Sequence, residues 1–293
     1  MAGRFSVRRA AAESPDERAY RLKLVSGLTY EVIPLKSVDA AIEALPPGSE
    51  VSVTCSPVKG IDATKELTER IRALGHTAIP HIAARMVEGP ERVTELASWF
   101  RNEGINRLFL VGGDAEPPAG PYGDAEAFLK ALLDTDHGLG AIGVTSYPDG
   151  HPLISQSLLD EALLAKQQLL ADAGVAGYAS TQMCFDPQRI EAWLRSQRAA
   201  GITLPVHLGL AGVVDRSKLM SMGVRLGVGT SLKYLRKNRS ALTKLMASPT
   251  YDPNKLLEPM SPVLADIGIE GIHCFTFNQV AATAEWQKRV LEH

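Results

Sequence analysis

The sequence predicts a single (β/α)₈ barrel, because eight short apolar runs alternate with longer stretches of helical spacing. Alternation of this kind produces a parallel sheet, since consecutive parallel strands need a helical crossover between them. Most of the runs are continuously apolar, which is typical of strands buried on both faces. A length of 293 residues fits one barrel of about 250 residues with short extensions.

Eight strand and helix units favour a closed barrel over an open doubly wound sheet. An open sheet that binds a dinucleotide carries a GxGxxG turn after a strand, and no predicted strand is followed by one. The predicted strands span residues 28–34, 50–54, 77–81, 107–111, 140–146, 177–181, 205–210 and 271–276.

Helices between the strands are predicted from apolar spacing and from end signals. Asp186 is a suitable N-cap, and Pro187 follows it at the first helical position. Glycines after several helical stretches indicate left-handed C-caps. The irregular stretch 223–255 is expected to hold a helical insertion before the last strand. The clearest helices are 63–74, with Leu67, Ile71 and Leu74 on one face, 158–173 and 187–200, and the capping glycines are Gly75, Gly104, Gly174 and Gly201.

Composition argues against several classes of protein. The net charge is −2, and scattered Lys and Arg residues give no electrostatic signature of nucleic-acid binding. The densest basic segment, 233–239, is expected to be a solvated helix face. No apolar run approaches the roughly 18 residues of a membrane span, and the N-terminus lacks an apolar signal core. A cytoplasmic protein with no membrane association is therefore expected.

Cysteine spacing predicts neither disulfides nor a metal site. Cys55, Cys184 and Cys274 show no CxxC pattern and form no Cys/His cluster with zinc-like spacing. Each is expected to be a small buried apolar residue in a strand, as in a reducing compartment. Residues 1–20 are charged and Ala-rich and are expected to be a mobile or loosely docked N-terminal extension. Residues 21–293 are expected to form the catalytic barrel.

Polar side chains recur where the predicted strands end. The active site of a (β/α)₈ barrel lies at the carboxyl ends of its strands, so these side chains are candidates for one common site. Strand ends are also where polarity normally returns, which makes the signal general. The residues are Glu31, Thr54, His81, Asp114, Tyr147 with Asp149 and His151, Gln182, and Thr276 with Asn278.

Glu31 and Asp114 are carboxylates with different surroundings. Glu31 stands inside an apolar strand, where desolvation favours the protonated form of a carboxyl group and suits general-acid work. The alternative is an ion pair with a Lys or Arg of a neighbouring strand. Asp114 follows Gly112 and Gly113, which allow close approach of backbone or ligand. The alternative for Asp114 is a turn or N-cap role.

The loop residues also have two interpretations each. Gln182 offers a bidentate amide suited to a heterocycle that carries donors and acceptors, or it is a loop amide satisfied by backbone. Tyr147 and His151 belong to a rigid polar loop with two prolines. A single histidine in such a loop is usually a hydrogen-bonded loop residue.

Several motifs follow one another in an order that resembles the methylenetetrahydrofolate reductase family, from about Tyr30 to the end of the chain. No single motif decides the resemblance, but their order, spacing and position at strand ends are specific together. The motifs are Glu31 before Pro34, Ser52-Val53-Thr54, Pro80-His81, Gly113-Asp114 before Pro117-Pro118, Tyr147-Pro148-Asp149-Gly150-His151-Pro152, Asp172-Ala173-Gly174 before Thr181-Gln182-Met183-Cys184-Phe185-Asp186, and His273-Cys274-Phe275-Thr276-Phe277-Asn278.

The resemblance implies a (β/α)₈ fold and reduction of methylenetetrahydrofolate with electrons from a nicotinamide. By motif match, Glu31 takes the general-acid role, Asp114 stabilises the iminium cation that forms from the folate, and Gln182 reads the pterin. The remaining matches imply that Thr276 and Asn278 bind substrate. They also imply that Thr54, His81, Tyr147 and His151 lie on the cofactor side of the site.

Departures from the family pattern concentrate on the flavin's polar tail. This chain has Gly112 and Gln279 where the family commonly has Arg. It has Lys166, Leu169 and Leu170 where the family supplies an Asn and an Arg-Lys pair. Phosphates need cationic or backbone donors, and each charge-assisted hydrogen bond contributes roughly 1.5–3 kcal/mol. The pattern therefore predicts a reductase that does not hold FAD tightly and passes hydride directly from NADH or NADPH.

Two alternatives remain at this stage. The first is an FAD-dependent reductase whose phosphate grip has moved, with Arg216, Lys218 or the segment 233–239 as candidate partners. The second is a folate-binding barrel that has lost catalysis and acts as a sensor or carrier. The joint presence of Glu31, Asp114 and Gln182 argues against that second alternative. No ribose-reading motif distinguishes NADH from NADPH.

Overall fold

The computed structural model describes residues 13–225 and 249–292. Within them eight parallel strands close into a barrel in sequence order, with β1 paired to β8, so the predicted (β/α)₈ barrel is confirmed. The strands are β1 Thr29–Val32, β2 Glu50–Val53, β3 Thr77–Ala83, β4 Arg107–Val111, β5 Ala141–Ser146, β6 Ala176–Thr181, β7 Val206–Ala211 and β8 Ile269–Phe275. The helices are α1 Pro15–Ser26, α2 Val38–Glu43, α3 Gly60–Ala73, α4 Pro90–Asn102, α5 Ala125–Leu133, α6 Gln156–Asp172, α7 Pro187–Ala199, α8 Arg216–Arg225, α9 Asn254–Met260 and α10 Val280–Glu292.

The helix end signals act as predicted. The carboxylate of Asp186 accepts hydrogen bonds from the backbone N–H groups of Gln188 and Arg189 at the start of α7. The glycines after α3, α4, α6 and α7 all have positive φ, so they supply the left-handed C-caps. Their φ values are 85° at Gly75, 60° at Gly104, 66° at Gly174 and 94° at Gly201.

Two predictions about buried residues were wrong in part. Leu74 is 61% exposed, because α3 ends at Ala73 and the C-cap residue turns away from the face that buries Leu67 and Ile71. Of the cysteines, only Cys274 lies in a strand. Cys184 follows β6 and is buried, whereas Cys55 follows β2 and is half-buried.

The helix α1 packs against the outside of the barrel near β8 and α10. A capping box of Ser14 and Glu17 starts it, and the hydroxyl of Tyr20 donates to the carbonyl of Ile269 at 2.8 Å. The helix runs across residue 20, where the sequence suggested that the barrel begins. Residues 1–12 of the predicted extension lie outside the described residues.

The predicted insertion is only partly described. The helices α8 and α9 flank it, and the basic segment 233–239 lies outside the described residues. In the part of the chain that the structure describes, no helix is long and apolar enough to cross a membrane.

The inside of the barrel is unusually polar near the amino ends of the strands. Glu50 of β2 is paired with Arg107 of β4, and the guanidinium of Arg107 lies over the ring of Tyr178 at 5.1 Å. The ring of Tyr178 stacks on His207 of β7 at a centroid distance of 4.4 Å. Gly143 is needed here, because a Cβ on it would lie 2.3 Å from Cζ of Tyr178.

His207 is expected to make the stability of the protein depend on pH. Burial, with the charges of Arg107 and His273, lowers the pKa of His207 to about 3. Below the ordinary histidine pKa of 6.5, the unfolded chain then binds more protons than the folded chain. The stability of the protein therefore decreases as the pH is lowered. We expect the free energy of unfolding to decrease by about 2 kcal/mol from this residue between pH 7 and pH 5. Urea unfolding at the two pH values measures this loss.

The matched variant for that measurement is His207→Phe, which keeps a ring beside Tyr178 but has no proton to bind. It should show a pH dependence of stability that is smaller by the same amount. An unchanged pH dependence in this variant would assign the effect to other groups.

Candidate active site

Glu31 lies inside the barrel on β1 and is only 6% exposed. Its Oε2 atom is 2.9 Å from Nε2 of His273, which projects from β8. The parallel pairing of β1 with β8 creates this contact. The partner of Glu31 is therefore an imidazole, and not the Lys or Arg that the sequence suggested as an alternative.

His81 lies beside this pair and extends the cluster to β2 and β3. Its Nε2 atom is hydrogen-bonded to the Ser52 hydroxyl at 2.5 Å, and its ring centroid is 5.8 Å from that of His273. Burial, and secondarily the proximity of His273, holds the pKa of His81 well below its usual value. At neutral pH His81 is therefore an uncharged imidazole. Glu31, His273, His81 and Ser52 therefore form one buried polar cluster that contains two hydrogen-bonded pairs, Glu31 with His273 and His81 with Ser52.

The same cluster contains three groups of metal-ligating type. Ligand atoms of Glu31, His81 and His273 all lie within 4.8 Å of one another. The sequence predicted no metal site, because that prediction used local spacing of Cys and His residues. Three strands far apart in the sequence contribute these side chains, and only closure of the barrel brings them together.

Thr276 and Asn278 join the end of β8 to β1. The Thr276 hydroxyl donates to the Glu31 carbonyl at 2.6 Å. The Asn278 amide bonds both backbone groups of Ile33, accepting from its N–H at 2.8 Å and donating to its carbonyl at 2.9 Å. Both side chains are thereby engaged with backbone and hold Glu31 in place. Their predicted contact with substrate stays a prediction.

Asp114 and Tyr147 lie at the mouth of the barrel. Asp114 is exposed after β4. Gly113 before it has a φ of 88°, and a Cβ on it would lie 2.8 Å from the Cβ of Ala83. Burial and the charge of Asp114 raise the pKa of Tyr147, although a hydrogen bond with Thr145 opposes the shift. Asp114 and the Tyr147 hydroxyl therefore act on the same region, above the buried cluster.

His151 makes the loop contacts that the sequence offered as its alternative, and its predicted place on the cofactor side stays a prediction. Its Nδ1 accepts the backbone N–H of Leu153 at 3.2 Å, and its ring meets that of Tyr147 edge-on at 5.4 Å. The neighbouring Asp149 is paired with Arg189 of α7 at 2.8 Å. These contacts fix the loop after β5.

Two polar groups near the strand ends lack partners within the described part of the chain. Gln182 accepts the N–H of Met183 on Oε1 at 2.9 Å, and no contact within residues 13–225 and 249–292 engages its NH₂ group. The Thr54 hydroxyl is buried without a hydrogen bond. A buried unpaired hydroxyl is costly, so a ligand group that bonds Thr54 would gain affinity.

Sequence reasoning missed His273 and Ser52 as site residues. Both are polar residues inside strands, away from the strand ends where most of the other candidates lie. A signal was present, because Glu31, Ser52, His81 and His273 each stand between two apolar residues of a strand that must be buried. A buried polar group needs a hydrogen-bond partner, so four such residues on neighbouring strands are expected to contact one another.

A comparison with protein families identifies the family of the chain. The family model described as "Methylenetetrahydrofolate reductase" matches residues 46–290 of the chain. The chain belongs to the methylenetetrahydrofolate reductase family. A similar protein of Caenorhabditis elegans, "Probable methylenetetrahydrofolate reductase (NADPH)", is 23% identical over 193 residues, which are 62% of this chain and 28% of that protein. The chain thus aligns with less than a third of that relative's length.

Solved structures of low sequence identity also match this methylenetetrahydrofolate reductase family member. One is a dihydropteroate synthase from Thermus thermophilus, in complex with 6HMPPP. It is 14% identical with a TM-score of 0.45, over 90% of each chain.

The residues at the family's flavin-tail positions do not fit a pyrophosphate in this chain. Leu170 is 1% exposed in the main core, and Leu169 packs against that core. Lys166 is buried on the same helix, and burial lowers its pKa. The face of α6 that would need exposed cations is therefore committed to packing. Elsewhere, the Arg216 guanidinium has two buried N–H groups, at Nε and Nη2, that find no partner among residues 13–225 and 249–292.

Proposed function

We propose that the chain reduces 5,10-methylenetetrahydrofolate to 5-methyltetrahydrofolate, with hydride supplied by NADH or NADPH. The observation that carries the proposal is the buried Glu31, hydrogen-bonded to His273 beneath the polar mouth of the barrel. A carboxyl group in this position can deliver a proton in a region from which water is largely excluded. Family membership supplies the substrate class.

The proton and the hydride have separate paths in this proposal. Protonated Glu31 donates to the nitrogen that leaves when the five-membered ring of the folate opens, and an iminium cation remains on the other nitrogen. Hydride from the nicotinamide then adds to the methylene carbon of that iminium and makes the methyl group. One proton and one hydride are consumed, and Glu31 is left as a carboxylate. The His273 imidazole at 2.9 Å can return a proton to it.

The mouth residues would bind the two substrates. Asp114 is exposed where the iminium charge would develop, and a nearby carboxylate stabilises a forming cation. The unpaired NH₂ group of Gln182 would read the pterin. Thr54 and Tyr147 would line the nicotinamide side, where the Thr54 hydroxyl still needs a partner. His151 would act through the loop that it fixes.

Variants of Gln182 and Asp114 should separate binding from turnover. Gln182→Ala is expected to raise KM for the folate with a smaller effect on kcat, because a pterin-reading amide acts in both ground and transition states. Asp114→Asn is expected to lower kcat with a smaller effect on KM, because its charge matters most as the iminium forms. Steady-state kinetics of both variants measure the split. The exposed Asp134→Asn is the matched control, and the opposite pattern would reverse the two assigned roles.

We further propose that hydride passes directly from nicotinamide to folate, without tightly bound flavin. The buried leucines on α6 support this, since they leave a flavin pyrophosphate short of partners. Direct transfer requires both ligands at once, with the two reacting carbons about 3–3.5 Å apart. Initial-rate kinetics should therefore be sequential, with intersecting double-reciprocal lines. Purified protein should lack flavin absorbance, and added FAD should not raise its activity.

Parallel lines, or a marked gain on adding FAD, would support the alternative of an FAD-dependent reductase with a relocated phosphate grip. The unpaired guanidinium of Arg216 is the observation that favours this alternative. Lys218 is a weaker candidate, because its Nζ already donates to the Phe277 carbonyl at 2.7 Å. In that event Arg216→Gln should weaken the FAD response, and Lys218→Gln should change it less.

A further inference from the structure

We propose that Glu31, His81 and His273 form a binding site for a divalent transition-metal ion. The bound ion would occupy the Glu31 carboxylate and inhibit the reaction at this site. The proposal goes beyond the reductase function. The claim that a metal ion binds rests on the geometry of the cluster. Only the claim that the ion inhibits the reaction rests on the proposed function.

The spacing of the three groups suits one shared ion. Their ligand atoms lie within 4.8 Å of one another. Zinc binds imidazole nitrogen and carboxylate oxygen at about 2.0–2.2 Å, so ligands on one zinc ion are separated by about 3–4 Å. Side-chain adjustments of about an ångström or less therefore bring all three groups into the coordination sphere.

The chemistry of the ligands selects the class of ion. Two imidazoles and one carboxylate suit zinc and its neighbours in the first transition row, whereas magnesium and calcium prefer oxygen ligands. Three protein ligands leave a further position open, as in zinc sites that also bind water or a substrate. Metal binding would replace the 2.9 Å hydrogen bond between Glu31 Oε2 and His273 Nε2 with a metal–ligand bond to each of these two residues.

The surroundings favour retention of the ion. Glu31, His81 and His273 are 6%, 5% and 3% exposed. Attraction between a divalent cation and a carboxylate is stronger in a buried site than in water. The ring of Phe109 lies against both histidines, with centroid distances of 4.7 Å to His81 and 5.5 Å to His273. The rings are thus held by packing, which limits the reorganisation that metal binding requires.

The test is titration of the chelator-treated full chain with ZnCl₂ by calorimetry, and with CoCl₂ by visible absorption. We expect one ion per chain and a cobalt spectrum of a low-coordinate nitrogen-ligated site. His81→Gln and His273→Gln should each weaken zinc binding at least tenfold, since even residues behind a metal ligand contribute about 10–100-fold. His76→Gln, which alters a histidine outside the cluster, should bind zinc like the wild type, and MgCl₂ should not compete.

Several results would overturn the proposal. They are the absence of zinc binding, a cobalt spectrum like that of the aqueous ion, or equal zinc affinity in wild type, His81→Gln and His273→Gln. Circular dichroism identifies any variant that fails to fold, and the wild-type cobalt spectrum then decides alone. Zinc should also abolish folate reduction. If zinc binds through the cluster but no reduction occurs even in metal-free protein, the metal site stands and the proposed reaction fails.

Discussion

Glu31→Gln is expected to lower kcat for methylenetetrahydrofolate reduction by about 10²–10⁴-fold, the usual contribution of one positioned general acid. The amide keeps the shape of the side chain and can still bond His273, but it cannot give a proton to the leaving nitrogen. Folate binding should persist, because the loss arises after binding. Stopped-flow or steady-state assays of reduction and a separate folate titration measure the two effects.

The matched control for this variant is Glu66→Gln, which removes a carboxylate from the exposed face of α3. It should leave turnover unchanged. Near-normal turnover in Glu31→Gln would remove Glu31 from the mechanism. Loss of the folded state in Glu31→Gln, seen by circular dichroism, would instead indicate that the Glu31–His273 contact is structural.

His273→Gln is expected to lower kcat by about 10²-fold with little change in KM. His273 acts through Glu31, whose carboxylate it holds and can reprotonate, and a small misplacement of a catalytic group costs about that much. The measurement is the split between kcat and KM. A role limited to packing would predict a loss of stability with the kinetic constants of the remaining folded protein unchanged.

The double variant Glu31→Gln/His273→Gln makes this prediction sharper. If His273 works only through Glu31, the double variant should be no slower than Glu31→Gln alone, because groups that act as a unit give non-additive losses. Multiplied losses would mean that His273 contacts the substrate independently. His76→Gln again serves as the control for replacing a histidine.

The barrel was predictable because its signals are local. Continuous apolar runs mark strands buried on both faces, and Asp186 and Gly174 mark helix ends by their own backbone preferences. Errors occurred where the signal was ambiguous. Leu74 continues the apolar spacing of α3, but the helix ends one residue before it. The spacing of apolar residues alone does not show at which residue the backbone leaves the helical conformation.

The site was only partly predictable because it depends on contacts across the barrel. Glu31 was predicted as a site residue from the sequence, but its partner is 242 positions away and is set by the pairing of β1 with β8. Thr276 illustrates the converse. A hydroxyl at a strand end suggested a ligand contact, and the structure shows it bonded to the Glu31 carbonyl. The sequence indicates that a residue lies at the end of a strand. The contacts of its side chain depend on which residues the neighbouring strands place beside it.

The closure of the barrel between its first and last strands also has a consequence for synthesis. Glu31 leaves the ribosome early, and His273 emerges only after all seven other strands. Contacts of such long sequence separation form late, because they need the largest loop to close. A nascent chain that already contains the first seven strands therefore has Glu31 but not yet His273. The pair of Glu31 and His273 forms only when the final strand is added, so under the proposed reaction unfinished or C-terminally clipped chains should be inert.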